Sequence, residues 1–272
     1  PNFLVHYYQG EATTARRIAH SAEGILPKLT DEFGVFASIA HTQRLPSLDE
    51  IYSTPLPSYG LEKELSTNYE AGFTVSGYDL LQDGDSVQLK ATGFYNDISN
   101  LIDRQCSNIA TCAAGGYTQQ YVNIDNAEIY GAEVELAYDS HYVFATAAYT
   151  HIIGKNTNTG EYLDTVAPDE LALTLGGKVP DYGLSFGWRA RFVADPQDDA
   201  DVVEDATSGR VASAFNVHDV FLNWKPETGP LEGTTVSLGI DNVFDTQYKE
   251  YLQNDPSKGR TFKLTLAKQF DY

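Results

Sequence analysis

Cys106 and Cys112 are the only cysteines in the chain, with five residues between them in a polar, glycine-rich stretch. Such a pair suits a disulfide that closes a loop in an oxidising compartment. Zinc would call for a second Cys or His pair nearby, and none stands there. Asp198, Asp199, Asp201, Glu204 and Asp205 offer oxygen ligands of the kind Ca²⁺ takes, but without the Asp/Gly spacing of a calcium loop they read as a solvated charge run. Arg189 and Arg191 alternate with Trp188, Ala190 and Phe192, and Glu133 and Glu135 alternate with Ala132, Val134 and Leu136. These charges can steer an anion, or the arginines can pair with the glutamates inside the molecule. His41 and His151 fall near strand ends, His141 at a turn, His218 in mid-strand beside Asp219, and His6 and His20 in the weakly patterned start. Lone histidines so placed read as structural or interfacial, and no metal site is expected. No nucleophile elbow, His-Glu-x-x-His or phosphate loop occurs, so enzymatic activity is not expected.

The segments that carry these side chains share one pattern. From Arg260 to Tyr272, Phe262, Leu264, Leu266, Phe270 and Tyr272 fall on one side, and Thr261, Lys263, Thr265, Gln269 and Asp271 on the other. Tyr182, Leu184, Phe186, Trp188, Ala190 and Phe192 alternate in the same way with Gly183, Ser185, Gly187, Arg189 and Arg191. Strands with one bulky apolar side, one polar side and aromatic ends fit a barrel that has lipid outside and water inside. Lipid does not penalise charges on the inner side.

Composition agrees. The 272 residues carry a net charge of −20 and 42% hydrophobic residues, with no apolar run near the roughly 20 residues a spanning helix needs. A helical membrane protein is excluded, and an acidic chain is a poor partner for nucleic acid. About twelve strands are expected, near 3–9, 22–29, 34–43, 66–78, 85–101, 117–138, 141–153, 166–178, 181–195, 213–225, 233–244 and 259–272. No connection has the helical pattern a parallel crossover requires, so the sheet should be antiparallel throughout. Short and long connections alternate. In outer-membrane barrels the short turns face the periplasm, which puts Tyr272 at the periplasmic rim and both cysteines outside.

Gln43-Arg44-Leu45-Pro46-Ser47-Leu48-Asp49-Glu50-Ile51-Tyr52 resembles the Phe-Arg-Ala-Pro box of TonB-dependent outer-membrane receptors, most closely of their haem-uptake subgroup. Leu61 to Ser66 with Asn68, Glu70 and Gly72 is similar to the second box and the strand after it. Asn123 with Ala127, Gly131, Glu133 and Glu135 resembles the long mid-barrel strand, and Gly154-Lys155 with Thr159 to Tyr162 a loop of haem receptors. Gly239, Asp241 to Asp245 and Tyr248 resemble the penultimate hairpin, and Gly259-Arg260 the approach to the last strand.

The resemblance implies an all-β, transmembrane antiparallel barrel of 22 strands, of which residues 1–272 supply about twelve as the carboxyl-terminal portion of one domain, with 1–25 poorly assigned. Plug and TonB-contacting box would lie outside this chain. It implies import of haem, free or from a haem-carrying protein, energised through the TonB complex, with outer-membrane lipid as the surrounding partner. Haem is then cargo, and no built-in cofactor is expected. Receptors of this kind hold ferric haem through a His or Tyr between the two boxes; the loop here has no His and offers Tyr52 and Tyr59, of which Tyr59 is the expected ligand. Both also fit as ordinary loop or girdle aromatics. Arg44 and Pro46 belong to the same ligand-binding box. Siderophore or zinc uptake is the alternative within the class; a passive porin or a soluble adhesin are alternatives outside it.

Overall fold

The computed structural model describes residues 18–25, 30–53, 56–106, 119–163, 165–197, 213–251, 253 and 255–269. They form eleven strands: β1 (Ile18–Ile25), β2 (Phe33–Arg44), β3 (Glu64–Tyr78), β4 (Ser86–Cys106), β5 (Gln119–Asp139), β6 (Val143–Asn156), β7 (Glu170–Val179), β8 (Leu184–Val193), β9 (Phe215–Trp224), β10 (Thr234–Asp241) and β11 (Thr261–Lys268). Each pairs antiparallel with its neighbours in chain order, so the sheet is one continuous meander. The strand expected at 3–9, Cys112 and the acidic run 198–205 lie outside the described residues, and Cys106 is described only as the last residue of β4. The strand expected at 22–29 is found four residues earlier, with Ile18 opposite Arg44 and Ile25 opposite Ala37. Its sequence, IAHSAEGI, has no clean bulky side, so nothing in it pins the register.

The two faces differ as alternation requires. On one, Leu175 stands opposite Trp188 and Trp188 opposite Val220; Leu238 is flanked by Leu222 and Leu264. Leu175, Val220, Leu238 and Leu264 are exposed and Trp188 and Leu222 partly so, with Leu264 at 63% and Phe262 of the same face at 73%. A water-soluble sandwich would bury that face against a second layer. Among the described residues the buried hydrophobic cluster holds only Ile98, Ile124, Ala127 and Leu163, at the long-loop end of the sheet. The apolar face therefore meets lipid, not a dry centre. No helix of the described residues is long and apolar enough to cross a membrane.

Aromatic rings bound the apolar band. Tyr69, Tyr95 and Tyr130 are in register on β3, β4 and β5, with ring centroids 6.3 and 6.5 Å apart. Eight residues further along β5 stands Tyr138. At about 3.3 Å per residue that separation is roughly 26 Å along the strand, which at a tilt of about 40° is roughly 20 Å of height, most of the apolar band of about 25 Å in an outer-membrane barrel.

The other face is polar and concave: Thr74 and Gln88 of β3 and β4 line the same cavity, of about 560 Å3, as Arg189 and Arg191 of β8. Rings fill what glycines leave open on this side. Phe36 lies over Gly72, Phe94 over Gly131, Phe144 over Gly176 and Phe221 over Gly187, each across one strand pair. Such ring-over-glycine contacts fix register while the sheet bends toward its polar side.

Candidate functional site in the loop between β2 and β3

The connection from β2 to β3 is built on Arg44. Its Nη2 donates to Glu64 Oε1 at 2.6 Å, its Nε to Glu64 Oε2, and its Nη1 to both carboxylate oxygens of Glu50 at 2.8 and 3.0 Å. Glu64 Oε1 also accepts the N–H of Ile102 on β4 at 2.8 Å. One guanidinium thus ties the end of β2 to the start of β3, to β4 and to the loop. Glu50 belongs to a short helix, α1 (Leu48–Ile51), opened by a reciprocal cap: Ser47 Oγ accepts from Glu50 N, and Glu50 Oε2 accepts from Ser47 N. Half-buried Pro46 lies between Arg44 and that cap. Burial pushes the Glu50 carboxyl up, but Ser47 N–H and the Arg44 guanidinium outweigh it and hold Glu50 below the ordinary carboxylate range.

After α1 the chain folds back, with Ser58 N donating to Ile51 O at 2.8 Å. Ser58 is buried and its Oγ has no hydrogen-bond partner among the described residues. The far side of the loop is pinned to the long-loop ends of β4 and β5. Asn123 Oδ1 accepts from Glu62 N, its Nδ2 donates to Glu62 O and Asn100 O, and Gln120 Nε2 donates to Pro57 O. This frame brings Tyr52 and Tyr59 together, edge to face at 77° with centroids 5.8 Å apart. Both rings are outside the packed part, 61% and 73% exposed. The loop therefore presents two phenols on a base held by ion pairs and backbone bonds.

The lumen charges divide. Glu135, Arg189 and Arg191 line the concave cavity, and Glu133 stands on the same side of β5 opposite Thr92. The expected pairing of the arginines with Glu133 or Glu135 does not occur, because β5 and β8 are three strands apart. Arg191 is instead bidentate to Glu170 of β7 at 2.8 Å and bonded to Glu250 of the last long loop at 2.8 Å. Arg189 lies over the Phe221 ring, 5.5 Å from its centroid.

Two residues, Asn242 and Asp85, have structural roles that the sequence reading did not assign them. Asn242, buried and at φ 51°, donates its N–H to Asp219, accepts Thr246 N–H and donates its amide to Thr246 O and Lys258 O, so it organises the loop before β11. Its place in the Asp241 to Asp245 motif and the tolerance of Asn for positive φ are the sequence signals for this role. Asp85 does the same for the short turn before β4. His218 is a girdle residue on the apolar face, stacked on Trp188 and edge-on to Phe192 and Phe244. His151 Nδ1 and Tyr149 Oη both reach Asp169. Among the described residues no group of three or more His, Cys, Asp or Glu is placed to hold a metal.

A meander with one face in lipid, one curved wet face and anchored long loops defines the wall of an outer-membrane β-barrel. The sequence profile described as TonB dependent receptor-like, beta-barrel, matches residues 20–243, and the chain belongs to that family. The family is one of bacterial outer-membrane receptors and transporters, not of enzymes. The chain is 29% identical over 266 residues to the TonB-dependent heme receptor A of Haemophilus influenzae, covering 87% of this chain and 35% of that protein. It is 27% identical over 262 residues to the hemin receptor of Yersinia enterocolitica, covering 89% and 37%. The chain thus spans about a third of the length of these relatives. Among solved structures it superposes on the copper transporter OprC with a TM-score of 0.71 at 22% identity, covering 90% of this chain and 37% of that one. It superposes on the hemophore receptor HasR of Serratia marcescens, solved with its hemophore HasA and heme, with a TM-score of 0.68 at 21% identity, covering 93% and 39%.

Proposed function

We propose that the chain is the carboxyl-terminal barrel portion of a TonB-dependent receptor that carries an iron compound, haem first among them, across the outer membrane into the periplasm. The observation that carries this reading is the pair of exposed phenols, Tyr52 and Tyr59, meeting on an anchored external loop. A phenolate is a sound axial ligand for ferric haem iron, and the loop offers no imidazole. Tyr59 is the ligand, Tyr52 packs against it, and Arg44, Pro46, Ser47 and Glu50 hold the base. The names of relatives at 27–29% identity support haem. Free haem or a haem-carrying protein is the external partner, Cys106 and Cys112 close a neighbouring external loop, and the remainder of the receptor supplies the plug, the second iron ligand and the TonB contact.

Haemin titration of the full-length receptor, followed by visible absorption, tests this. A charge-transfer band that disappears in Tyr59→Ala supports the ligand. The absence of histidine from the loop favours a second reading, siderophore or zinc uptake, and a receptor whose addition leaves the Soret band of haemin unmoved would establish that reading over haem.

A further inference from the structure

The short turn between β3 and β4, residues 79–85, carries two leucines in a row, and both are exposed: Leu80 at 62% and Leu81 at 79%. Its shape does not come from packing of those side chains. Buried Asp85 accepts the N–H groups of Leu80, Leu81 and Gln82 at 2.8, 2.9 and 3.0 Å, and the Tyr138 hydroxyl at 3.2 Å. Asp79, at φ 55°, donates its N–H to Asp85 O at 3.1 Å, and its carboxylate accepts Gly84 N–H at 2.6 Å. Two of the three carboxylates in the turn are thus bonded to its own backbone, and the third, Asp83, stands two residues beyond Leu81. A turn pinned in this way cannot collapse to hide its leucines, and leaving them in water is unfavourable.

Their direction follows from Gly77. A Cβ added there would stand 2.5 Å from Leu80 Cδ1, so Leu80 folds back over Gly77. Gly77 is in register with Val87 and Tyr138 on the apolar face, next to the row of Val75, Leu89 and Leu136. Leu80 therefore fills the place that Gly77 leaves open and continues the apolar face past the end of β3, in the row of Tyr138. Leu81 follows it beyond the strand end. The occupant of this extension is the one that covers the face it continues, which is lipid. Short turns of outer-membrane barrels face the periplasm, so the layer at this height is the boundary between headgroups and acyl chains of the inner leaflet. Apolar side chains held at that boundary act as an interfacial anchor.

We infer that the β3–β4 turn is a phospholipid-docking element that seats Leu80 and Leu81 in the periplasmic leaflet of the membrane, with Asp85 as the residue that positions them. The turn fixes the height of this part of the wall in the bilayer, whatever compound the receptor carries. It also gives the Asp85 carboxylate a purpose beyond closing a hairpin: it keeps two apolar side chains aimed at lipid.

The test uses the full-length receptor in nanodiscs of phosphatidylethanolamine and phosphatidylglycerol, which leave both membrane surfaces open to solutes. One environment-sensitive fluorophore is attached at Leu81→Cys or, as the control, at Asp83→Cys, and each label is quenched by aqueous iodide and by a phospholipid bearing a nitroxide near its headgroup. Iodide quenches the Leu81 label about fivefold less than the Asp83 label, since a side chain ~5–10 Å into the headgroup boundary is out of reach of an aqueous ion. The nitroxide lipid quenches the Leu81 label more. Asp85→Asn raises iodide quenching at Leu81 toward the Asp83 value. The unsubstituted receptor supplies a second reading that no variant can disturb: a phospholipid with a photoreactive group near its glycerol marks the peptide that contains Leu80 and Leu81. Equal iodide quenching at the two labels would place the leucines in water, and a Leu81 label shielded from both quenchers would place them under another part of the receptor. Either result, an Asp85→Asn variant with the Leu81 label unmoved, or an unmarked peptide in the unsubstituted receptor overturns the inference.

Discussion

Phe94 lays its ring across Gly131, its partner on β5, so that a Cβ added to Gly131 would stand 2.8 Å from the ring's Cζ and press into the carbonyl of His151. The neighbour on the opposite face, Gly93, has nothing within 3.9 Å of the same added atom. Two adjacent glycine sites thus carry opposite constraints. Gly131→Ala should destabilise the barrel by about 1–3 kcal/mol through overpacking, whereas Gly93→Ala should be neutral or slightly stabilising through the unfolded chain. Heat-induced unfolding on unboiled gels reads both, and an equal shift for the two would contradict the ring-over-glycine account.

Arg44 spends its guanidinium on two carboxylates from different elements, so its loss should act on the loop and not on the wall. Arg44→Ala should weaken the base of residues 45–63 by about 1–3 kcal/mol, seen as faster hydrogen exchange in α1 and at Ser58 with β2 and β3 unchanged. Arg44→Lys should recover little, because a single ammonium cannot satisfy the forked geometry toward Glu64 and Glu50 together. Full protection in Arg44→Lys would show that charge alone suffices.

How far the sequence revealed this depends on whether a feature is local. Alternation within a strand is local, and the strands from β2 to β11 lie where Phe33 to Lys268 alternate. The reciprocal cap of Ser47 and Glu50 is local too, a Ser-x-x-Glu signature that could have announced α1 inside a segment expected to be a plain loop. The partners of Arg44 and Arg191 are not local. Glu64 is twenty positions from Arg44 and meets it only because β2 and β3 pair with that register. Glu250 meets Arg191 across fifty-nine positions, through a loop whose path is set by Asn242. The meeting of Tyr52 and Tyr59 belongs to both kinds: the two residue types were conspicuous, but their contact needs the fold-back at Ser58.

Acid should loosen the short turn before β4 at a defined carboxylate. Burial pushes the Asp85 carboxyl up, but the N–H groups of Leu80, Leu81 and Gln82 and the Tyr138 hydroxyl outweigh it and leave it below its ordinary range. A lowered folded-state value means that the stabilisation is complete above the unfolded carboxyl value of about 3.9 and is lost as pH falls through the folded one. Protection factors of the Leu80, Leu81 and Gln82 amides should therefore hold at neutral pH and fall only below about pH 4. Asp85→Asn should show reduced protection at every pH. Wild-type protection that declines near pH 6 would assign the effect to some other group.

The assignment of the two faces can be checked residue by residue along β11. Phe262, Leu264 and Leu266 belong to the apolar face, with Leu264 opposite Leu238 and Leu266 opposite Val236, while Lys263 pairs with Asp241 and Thr265 lies opposite Ser237 on the concave side. A β-strand turns its side chains over at every residue, so contact with lipid must have a period of two. Spin labels placed singly at Cys substitutions from Phe262 to Leu266 in the full-length receptor, reconstituted in bilayers, should relax with oxygen at the even positions. At the odd positions they should respond to a water-soluble nickel reagent or be shielded from both. A run in which neighbouring positions respond alike would mean that this strand does not have one side in hydrocarbon and the other in a wet interior, and the transport reading would lose its geometry.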